Sequence, residues 1–227
     1  MNKSKVTYLN ISKKPAVKPF YEKLWFKLPV RFILTIMYSI PPLSRYLEKT
    51  KPFLIGKISK LLKNEKYNEA LDLSRSGLEK CDKKVEFDHL WWWEFMSYAV
   101  YCAQTLNDDK TMSKLFEMAE NGFEPFEGRH YSYCYCYFSH FKYVEGDYDL
   151  AINLAERANK ADDTFGDPFY LLGYYELFIN DQDPLELFKA AIERDHSILN
   201  RIVNHPALKE FPNIIAKLKR LQIASPT

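Results

Sequence analysis

The sequence EGDYDLAI, residues 145–152, decides the fold together with the small residues Ala155 and Ala158 that follow it. Gly146 and Asp147 favour a turn, and the residues after them place apolar and small side chains at the spacing of one helical face. This pattern is typical of the turn and second helix of a helical hairpin. Since similar turns recur on both sides, the sequence predicts a series of hairpin repeats.

A second helix-turn-helix pattern lies in residues 57–81, KISKLLKNEKYNEALDLSRSGLEKC. Its first helix carries Ile58, Leu61 and Leu62 on one face, and residues 63–66 form a polar turn. The second helix then places Ala70, Leu71, Leu73 and Leu78 on its apolar face. Tyr67 and Ala70 are three residues apart, as are Tyr148 and Ala151. In each turn an aromatic residue can fill the hairpin, and the alanine allows the two helices to approach closely.

One stretch conflicts locally with a helical fold. HYSYCYCYF, residues 130–138, alternates with period two and taken alone predicts a strand. It continues without a break towards Gly146, however, and roughly sixteen residues between Gly128 and Gly146 allow a helix about 25 Å long. We therefore expect a helix here.

Helix boundaries are indicated by several short motifs. Asp167 and Asp183 each precede a proline, which favours an N-cap followed by proline at the first helical position. Asn121-Gly122 predicts the end of a helix. Pro206 and Pro212 predict the starts of two short helices that would cover the end of a repeat stack.

These motifs resemble those of tetratricopeptide-repeat proteins. The best unit runs from Ser132 to about Asp163, with Phe138-Ser139 as the large-small pair of its first helix; its turn and second helix match at Gly146, Tyr148, Ala151, Ala155 and Ala158. A following unit has Leu172-Gly173 at the same pair and then Phe188 and Ala191, with one residue missing from its turn. A more divergent unit, residues 92–122, keeps chiefly Phe116 and Ala119.

The resemblance implies an all-α fold of antiparallel helix-hairpin repeats, stacked as a short right-handed superhelix with capping helices at both ends. We expect a basic arm and an apolar helix in residues 1–53, tetratricopeptide-like repeats in residues 54–196 and C-terminal capping helices in residues 197–227. Proteins of this class are scaffolds that bind other proteins.

Charge is distributed unevenly along the chain. Residues 1–53 contain eleven Lys and Arg against two acidic residues, a balance of +9, whereas the remainder, with 21 basic and 28 acidic residues, carries −7. Residues 20–43 are apolar on more than one helical face, which predicts burial against the first repeat. The alternative is insertion into the interface of a membrane or of another protein, with Trp25, Lys27 and Arg31 as the contact residues. The uncharged run 32–43 would rise only roughly 18 Å as a helix, too little to span a bilayer.

The four cysteines are too few and too unevenly spaced for a disulfide framework, so we expect a reducing, cytoplasmic environment. Cys134, Cys136 and His140 have side chains of the kinds that bind metals. On a helix, Cys134 lies about 200° from Cys136, so the three cannot converge on one ion. The sequence also lacks phosphate-loop, dinucleotide and hydrolase motifs. We therefore expect no metal, no cofactor and no catalysis, with an unrecognised enzyme as a minor alternative.

In tetratricopeptide-repeat proteins the first helix of each unit lines a concave surface. Carried onto this sequence, the resemblance implies a partner-binding groove formed by Tyr101, Gln104, Tyr133, His140, Tyr143, Tyr170 and Tyr174. Tyrosine combines apolar contact area with a hydroxyl group and few rotatable bonds, which suits the recognition of peptides and proteins.

The sequence therefore predicts a non-catalytic adaptor for a protein or peptide partner, of which a toxin-neutralising immunity protein is one subtype. The alternative is a peripheral membrane protein anchored by the N-terminal helix. Nucleic-acid binding is not expected, because the basic residues concentrate in the arm rather than on one face of the repeats. The identity of the partner and the oligomeric state stay open.

Overall fold

The computed structural model describes residues 50–85, 88–124 and 128–223, with the side chains of 221–223 left out of the description. These residues belong to two compact units, described over residues 50–124 and 128–223. The predicted basic arm and N-terminal apolar helix, including Trp25, Lys27 and Arg31, lie outside the described residues.

The described residues contain ten α-helices, one 3-10 helix and no strand. In the first unit the helices are α1 (Lys51–Lys63), α2 (Tyr67–Glu79), α3 (Asp88–Leu106) and α4 (Asp109–Glu120). In the second unit they are α5 (Arg129–Glu145), α6 (Tyr148–Ala161), α7 (Gly166–Phe178), α8 (Leu185–Arg194), α9 (Ser197–Asn204), the 3-10 helix Ala207–Glu210 and α10 (Pro212–Ile223).

Helices adjacent in sequence pack against each other within each unit. In the first unit α2 packs against both α1 and α3, and α4 packs against α3. In the second, α5 pairs with α6, α7 pairs with α8, and α7 also contacts α5 and α6. The predicted all-helical fold with packed helix pairs is thus confirmed, and the alternating stretch 130–138 forms part of α5.

Each helix pair is joined by a turn with one residue in the left-handed conformation. Glu65, Asn107 and Asp181 have φ angles of 58°, 53° and 52°, and Gly146 has a φ of 88°. Only Gly146 is a glycine, the residue that adopts this conformation without steric cost. A left-handed residue therefore recurs at four turns, although only one of them carries glycine at that position.

In three of these turns the next residue closes the helix end in the same way. Its backbone amide donates to the carbonyl five residues earlier, at 3.0 Å from Lys66 to Leu61, 2.9 Å from Asp108 to Ala103 and 3.0 Å from Asp147 to Lys142. This bond is one of the two that define a Schellman helix end. Its recurrence supports the prediction of repeated hairpins.

The turn between α7 and α8 differs from the prediction of one missing residue. Six residues separate these helices, compared with two between α5 and α6. The amide of Phe188 bonds the carbonyl of Pro184, as the amide of Ala151 bonds the carbonyl of Asp147. Phe188 therefore takes the place that Ala151 holds in the preceding pair, and the turn is longer than predicted.

Two predicted N-caps also require correction. The N-cap of α7 is Phe165, and Asp167 lies inside the first turn, buried and paired with Arg201. The N-cap of α8 is Pro184, although the Asp183 carboxylate accepts a hydrogen bond from the Leu185 amide at 3.0 Å. The predicted helix end at Asn121 and the predicted helix start at Pro212 are confirmed.

The centre of the second unit is built from small residues and tyrosines. Ala151, Ala155 and Ala158 on α6 are fully buried. The Ser139 hydroxyl on α5 donates to the Ala151 carbonyl at 2.7 Å and lies 2.8 Å from the Tyr175 hydroxyl. These bonds connect α5 to both α6 and α7. Among the described helices, none is long and apolar enough to cross a bilayer.

Candidate interaction site

One group of ring contacts in the second unit is centred on Tyr143, at the C-terminal end of α5. The residues come from α5, α6, α7 and the segment after α9, and we call them the Tyr143 cluster: Tyr143, Tyr148, Tyr174, Tyr175, Phe178, His205 and Phe211.

Tyr143 contacts three other tyrosines. Its ring centroid lies 5.2 Å from that of Tyr175, with nearly parallel planes, and 5.5 Å from that of Tyr174, edge to face. The ring of Tyr148, at the first position of α6, lies 5.5 Å away on the side of the turn. Because offset-stacked and edge-to-face pairs add to the energy of burial, these contacts fix the Tyr143 ring between two helix pairs.

The cluster continues from Tyr174 into the C-terminal segment. The Tyr174 ring lies 4.4 Å from Phe178 and 5.3 Å from His205, edge to face in the second case. Phe178 in turn contacts Phe211 at 5.6 Å. The segment after α9 therefore packs against α7 through two aromatic contacts, His205 with Tyr174 and Phe211 with Phe178.

One edge of the cluster is open to solvent. Tyr148 is 47% exposed and the neighbouring Val144 is 37% exposed, whereas Tyr143 is half-buried and Tyr174 is only 7% exposed. An exposed tyrosine that rests on buried ones forms an aromatic surface with a rigid base. Exposed carboxylates flank Tyr148 in the sequence at Glu145, Asp147 and Asp149, of which Glu145 is paired with Lys142.

Tyr143, Tyr174 and Tyr175 stay protonated near neutral pH, because burial raises the pKa of each. Burial raises the pKa of Tyr143, an effect partly opposed by its hydrogen bond with Tyr174. Burial also raises the pKa of Tyr174, and the proximity of Tyr143 raises it further. These three tyrosines thus offer uncharged rings and hydroxyl groups.

Of the seven residues predicted to form a groove, the structure brings Tyr143 and Tyr174 into contact. His140, one turn before Tyr143, is buried and lies within electrostatic range of His205. The expectation that all seven lie on an open surface is not met, because Tyr133, His140, Tyr170 and Tyr174 are buried. Contact of these residues with a partner stays a prediction.

Tyr133 and Tyr170 are engaged inside the second unit. The Tyr133 hydroxyl lies 2.9 Å from that of Tyr137, and its ring stacks on Phe165 at 6.4 Å. The Arg201 guanidinium lies over the Tyr170 ring at 4.8 Å. Both side chains therefore contribute to packing within this unit.

Tyr101 and Gln104 lie on α3 in the first unit and are half-buried. The Tyr101 ring meets Tyr67, at the start of α2, edge to face with centroids 6.2 Å apart. This contact is part of the packing between α2 and α3. It resembles the Tyr143–Tyr148 contact in joining the first residue of a second helix to a long neighbouring helix.

No family model matches the chain. The curated proteins and the solved structures likewise contain no significant match to it.

Sequence reasoning missed the exposed edge of the Tyr143 cluster. Tyr148 was expected to fill its hairpin, but its ring lies beside Tyr143 and about half of it stays exposed. Val144, His205 and Phe211 were not predicted as surface or cluster residues. The exposure of Tyr148 could have been predicted from its position, because it directly follows a turn and is flanked by acidic residues.

The described residues include buried titratable side chains but no cluster of metal-binding side chains. Within residues 50–85, 88–124 and 128–223 no group of three or more His, Cys, Asp or Glu side chains is placed to hold a metal ion. Cys134 and Cys136 are buried, and burial raises the pKa of both thiols. Glu94 on α3 is 2% exposed, and its Oε1 atom makes no hydrogen bond.

Proposed function

We propose that the chain is a non-catalytic scaffold that binds a protein or peptide partner through the open edge of the Tyr143 cluster. The observation that carries the proposal is the position of Tyr148, which is exposed yet rests on Tyr143, itself packed between Tyr174 and Tyr175. An aromatic residue on such a base loses little side-chain freedom on binding, so more of the contact energy is retained.

The charges around the edge suggest the chemistry of the partner. Glu145, Asp147 and Asp149 are exposed beside Tyr148. Lys142 is engaged by the Glu145 carboxylate at 2.7 Å. An aromatic surface with an acidic rim favours a partner segment that presents apolar and basic side chains, because complementary charge speeds association and excludes acidic competitors.

We also infer that the helix pairs are tetratricopeptide-like units. The left-handed residue at each of the four turns and the small residues at the crossing of α5 and α6 support this inference. The longer turn before α8 and the 19-residue α3 depart from a standard repeat, so the likeness lies in the hairpin geometry rather than in repeat length.

Site-specific photo-crosslinking tests the proposal. A benzophenone amino acid at position 148 is expected to crosslink a partner protein in cells that produce the chain. The same group at Glu156, exposed on α6 but away from the cluster, serves as the matched control. Equal yields at the two positions, or no crosslink at position 148, would contradict a docking edge at Tyr148.

A toxin-neutralising immunity protein is the more specific form of this proposal. The captured partner would then have a toxic activity that one equivalent of the chain abolishes. A partner without such activity leaves the scaffold function in place and removes this subtype.

Peripheral membrane association is the second candidate function. The observation that favours it is the basic and apolar composition of residues 20–43, with Trp25, Lys27 and Arg31. Vesicle flotation distinguishes this candidate from the scaffold function.

A further inference from the structure

His205 is a buried imidazole at the start of the C-terminal segment, where α9 ends. His205 is 9% exposed, and neither of its ring nitrogens makes a hydrogen bond. Its backbone amide bonds the Ile202 carbonyl at 3.3 Å, and its carbonyl accepts from the Lys209 amide at 3.2 Å. The residue therefore connects α9 to the 3-10 helix through its backbone while its ring packs inwards.

Residues 205–223 contact α7 through the rings of His205 and Phe211. Of these two rings, only that of His205 can become charged. It packs edge to face on Tyr174 at 5.3 Å, next to the contact between Phe178 and Phe211. Beyond it, Leu208 and Leu218 are buried, and α10 packs against α8 and α9. A charged imidazole at this position would be buried against rings that offer it no carboxylate.

The titratable groups around His205 come from four elements. On α5 His140 is buried, and burial together with His205 lowers the pKa of His140 to about 4. On α7 Tyr174 is uncharged, and on α9 Arg201 is engaged with Asp167. On the 3-10 helix Lys209 is exposed. Glu210, also on the 3-10 helix, is exposed as well. None of these buried neighbours supplies an unpaired negative charge, and burial itself lowers the pKa of His205.

We propose that His205 is an acid-sensitive latch that holds residues 205–223 against α7. The neutral ring packs on Tyr174, and protonation in acid expels it towards solvent. Its departure detaches Phe211 from Phe178 and opens the C-terminal segment, while the helix pairs α5–α6 and α7–α8 keep their own contacts.

The direction of the pH effect follows from proton linkage. The pKa of the closed form is lowered, so the open form binds a proton more readily and closure is favoured at neutral pH. As the pH falls below the ordinary histidine pKa of about 6.5, the opening equilibrium constant rises about tenfold per pH unit until the closed form is itself protonated.

Amide hydrogen exchange measured by mass spectrometry on the full chain tests the latch. After correction for intrinsic exchange rates, peptides within residues 205–223 are expected to lose protection between about pH 7 and about pH 5, by up to about 25-fold because the open form binds its proton with the ordinary histidine pKa of about 6.5. Peptides from α6 in the same unit are expected to keep their protection, which separates local opening from unfolding of the unit.

Substitution of the ring assigns the effect to His205. His205→Phe keeps an aromatic contact with Tyr174, gives up no hydrogen bond and cannot be protonated, so the loss of protection in acid should disappear. His205→Gln serves the same purpose if the phenylalanine variant does not fold. His196→Gln is the matched control, since His196 is exposed in the same part of the chain, and this variant should behave like the wild type.

Two results would overturn the latch. One is unchanged protection of residues 205–223 in the wild type between about pH 7 and about pH 5. The other is a loss of protection in acid that persists in His205→Phe or His205→Gln.

Discussion

Gly173 on α7 lies so close to Phe188 on α8 that a Cβ atom at position 173 would stand 2.9 Å from two carbons of the phenylalanine ring. A large residue on one helix thus meets a residue without a side chain on the other. In the preceding pair Ser139 and Ala151, both small, meet at the corresponding crossing. The size of the two residues sets how closely the helices of each pair approach.

Gly173→Ala should destabilise the protein by about 1–3 kcal/mol, because the added methyl group forces the buried Phe188 ring away from its position. Urea unfolding followed by circular dichroism measures the change. Gly56→Ala on α1 is the control, since a Cβ there meets no atom within 4 Å. Equal stability of Gly173→Ala and Gly56→Ala would show that the α7–α8 crossing is not tight.

Several of the helices were predictable because local sequence patterns indicate them, although residues 130–138 of α5 taken alone predict a strand. The turn at Gly146 and the small residues Ala151, Ala155 and Ala158 identify one hairpin from neighbouring residues alone. The turn before α8 was not predictable in the same way. Phe188 is a large residue where other units carry a small one, and only the contact with Gly173 shows which positions correspond.

The open surface could not be derived from the sequence for a different reason. On α5 the residues from Tyr131 to Phe141 are all buried, so this helix has no periodic pattern that separates an inner from an outer face. A groove assigned by helical register therefore included Tyr133, which is buried. Asp167 was similarly assigned to a cap, because its pairing with Arg201 spans 34 residues that local motifs do not report.

Glu94 should make the stability of the first unit depend on pH. Burial raises the pKa of this carboxyl to about 7 from an ordinary value of 4.5. Its contribution is most favourable below about pH 4.5, falls as the pH rises towards 7, and is then constant. Glu94→Gln, which resembles the protonated acid, should stabilise the protein by about 3 kcal/mol at pH 8 and by little at pH 4.

Tryptophan fluorescence during urea unfolding reports on this effect, since Trp91, Trp92 and Trp93 lie on α3 beside Glu94. Glu117→Gln, at an exposed position on α4, is the control and should change stability at neither pH. A Glu94→Gln variant with the same stability difference from the wild type at both pH values would contradict the assignment.

Removal of Arg201 should leave a buried carboxylate without its charged partner. Asp167 is buried, and burial raises its pKa although Arg201 opposes the shift. Arg201→Met should therefore cost about 3–5 kcal/mol, and adding Asp167→Asn should restore part of the loss. Thermal melts of the single and double variants measure both effects.

The exposed ion pair Lys66–Glu69 provides the comparison, with 2.7 Å between its charged atoms. Lys66→Met should change stability by less than about 1 kcal/mol. If Arg201→Met lowered the free energy of unfolding no more than Lys66→Met does, the buried Arg201–Asp167 pair would not contribute measurably to stability.

The scaffold function predicts that the chain does not float with anionic vesicles at physiological salt. If flotation is seen at low salt, the combined change Trp25→Ala, Lys27→Glu and Arg31→Glu should abolish it, because these residues would supply both the apolar and the electrostatic contact. Strong flotation that these changes remove would favour the membrane function over the scaffold function.

The affinity of the captured partner for Tyr148→Ala tests the central claim most directly. This substitution should weaken binding by about 1–3 kcal/mol, measured by calorimetry, and should lower the melting temperature only slightly because the ring is half exposed. Glu156→Ala on the same helix should bind normally. An unchanged dissociation constant for Tyr148→Ala would contradict a docking surface at the Tyr143 cluster.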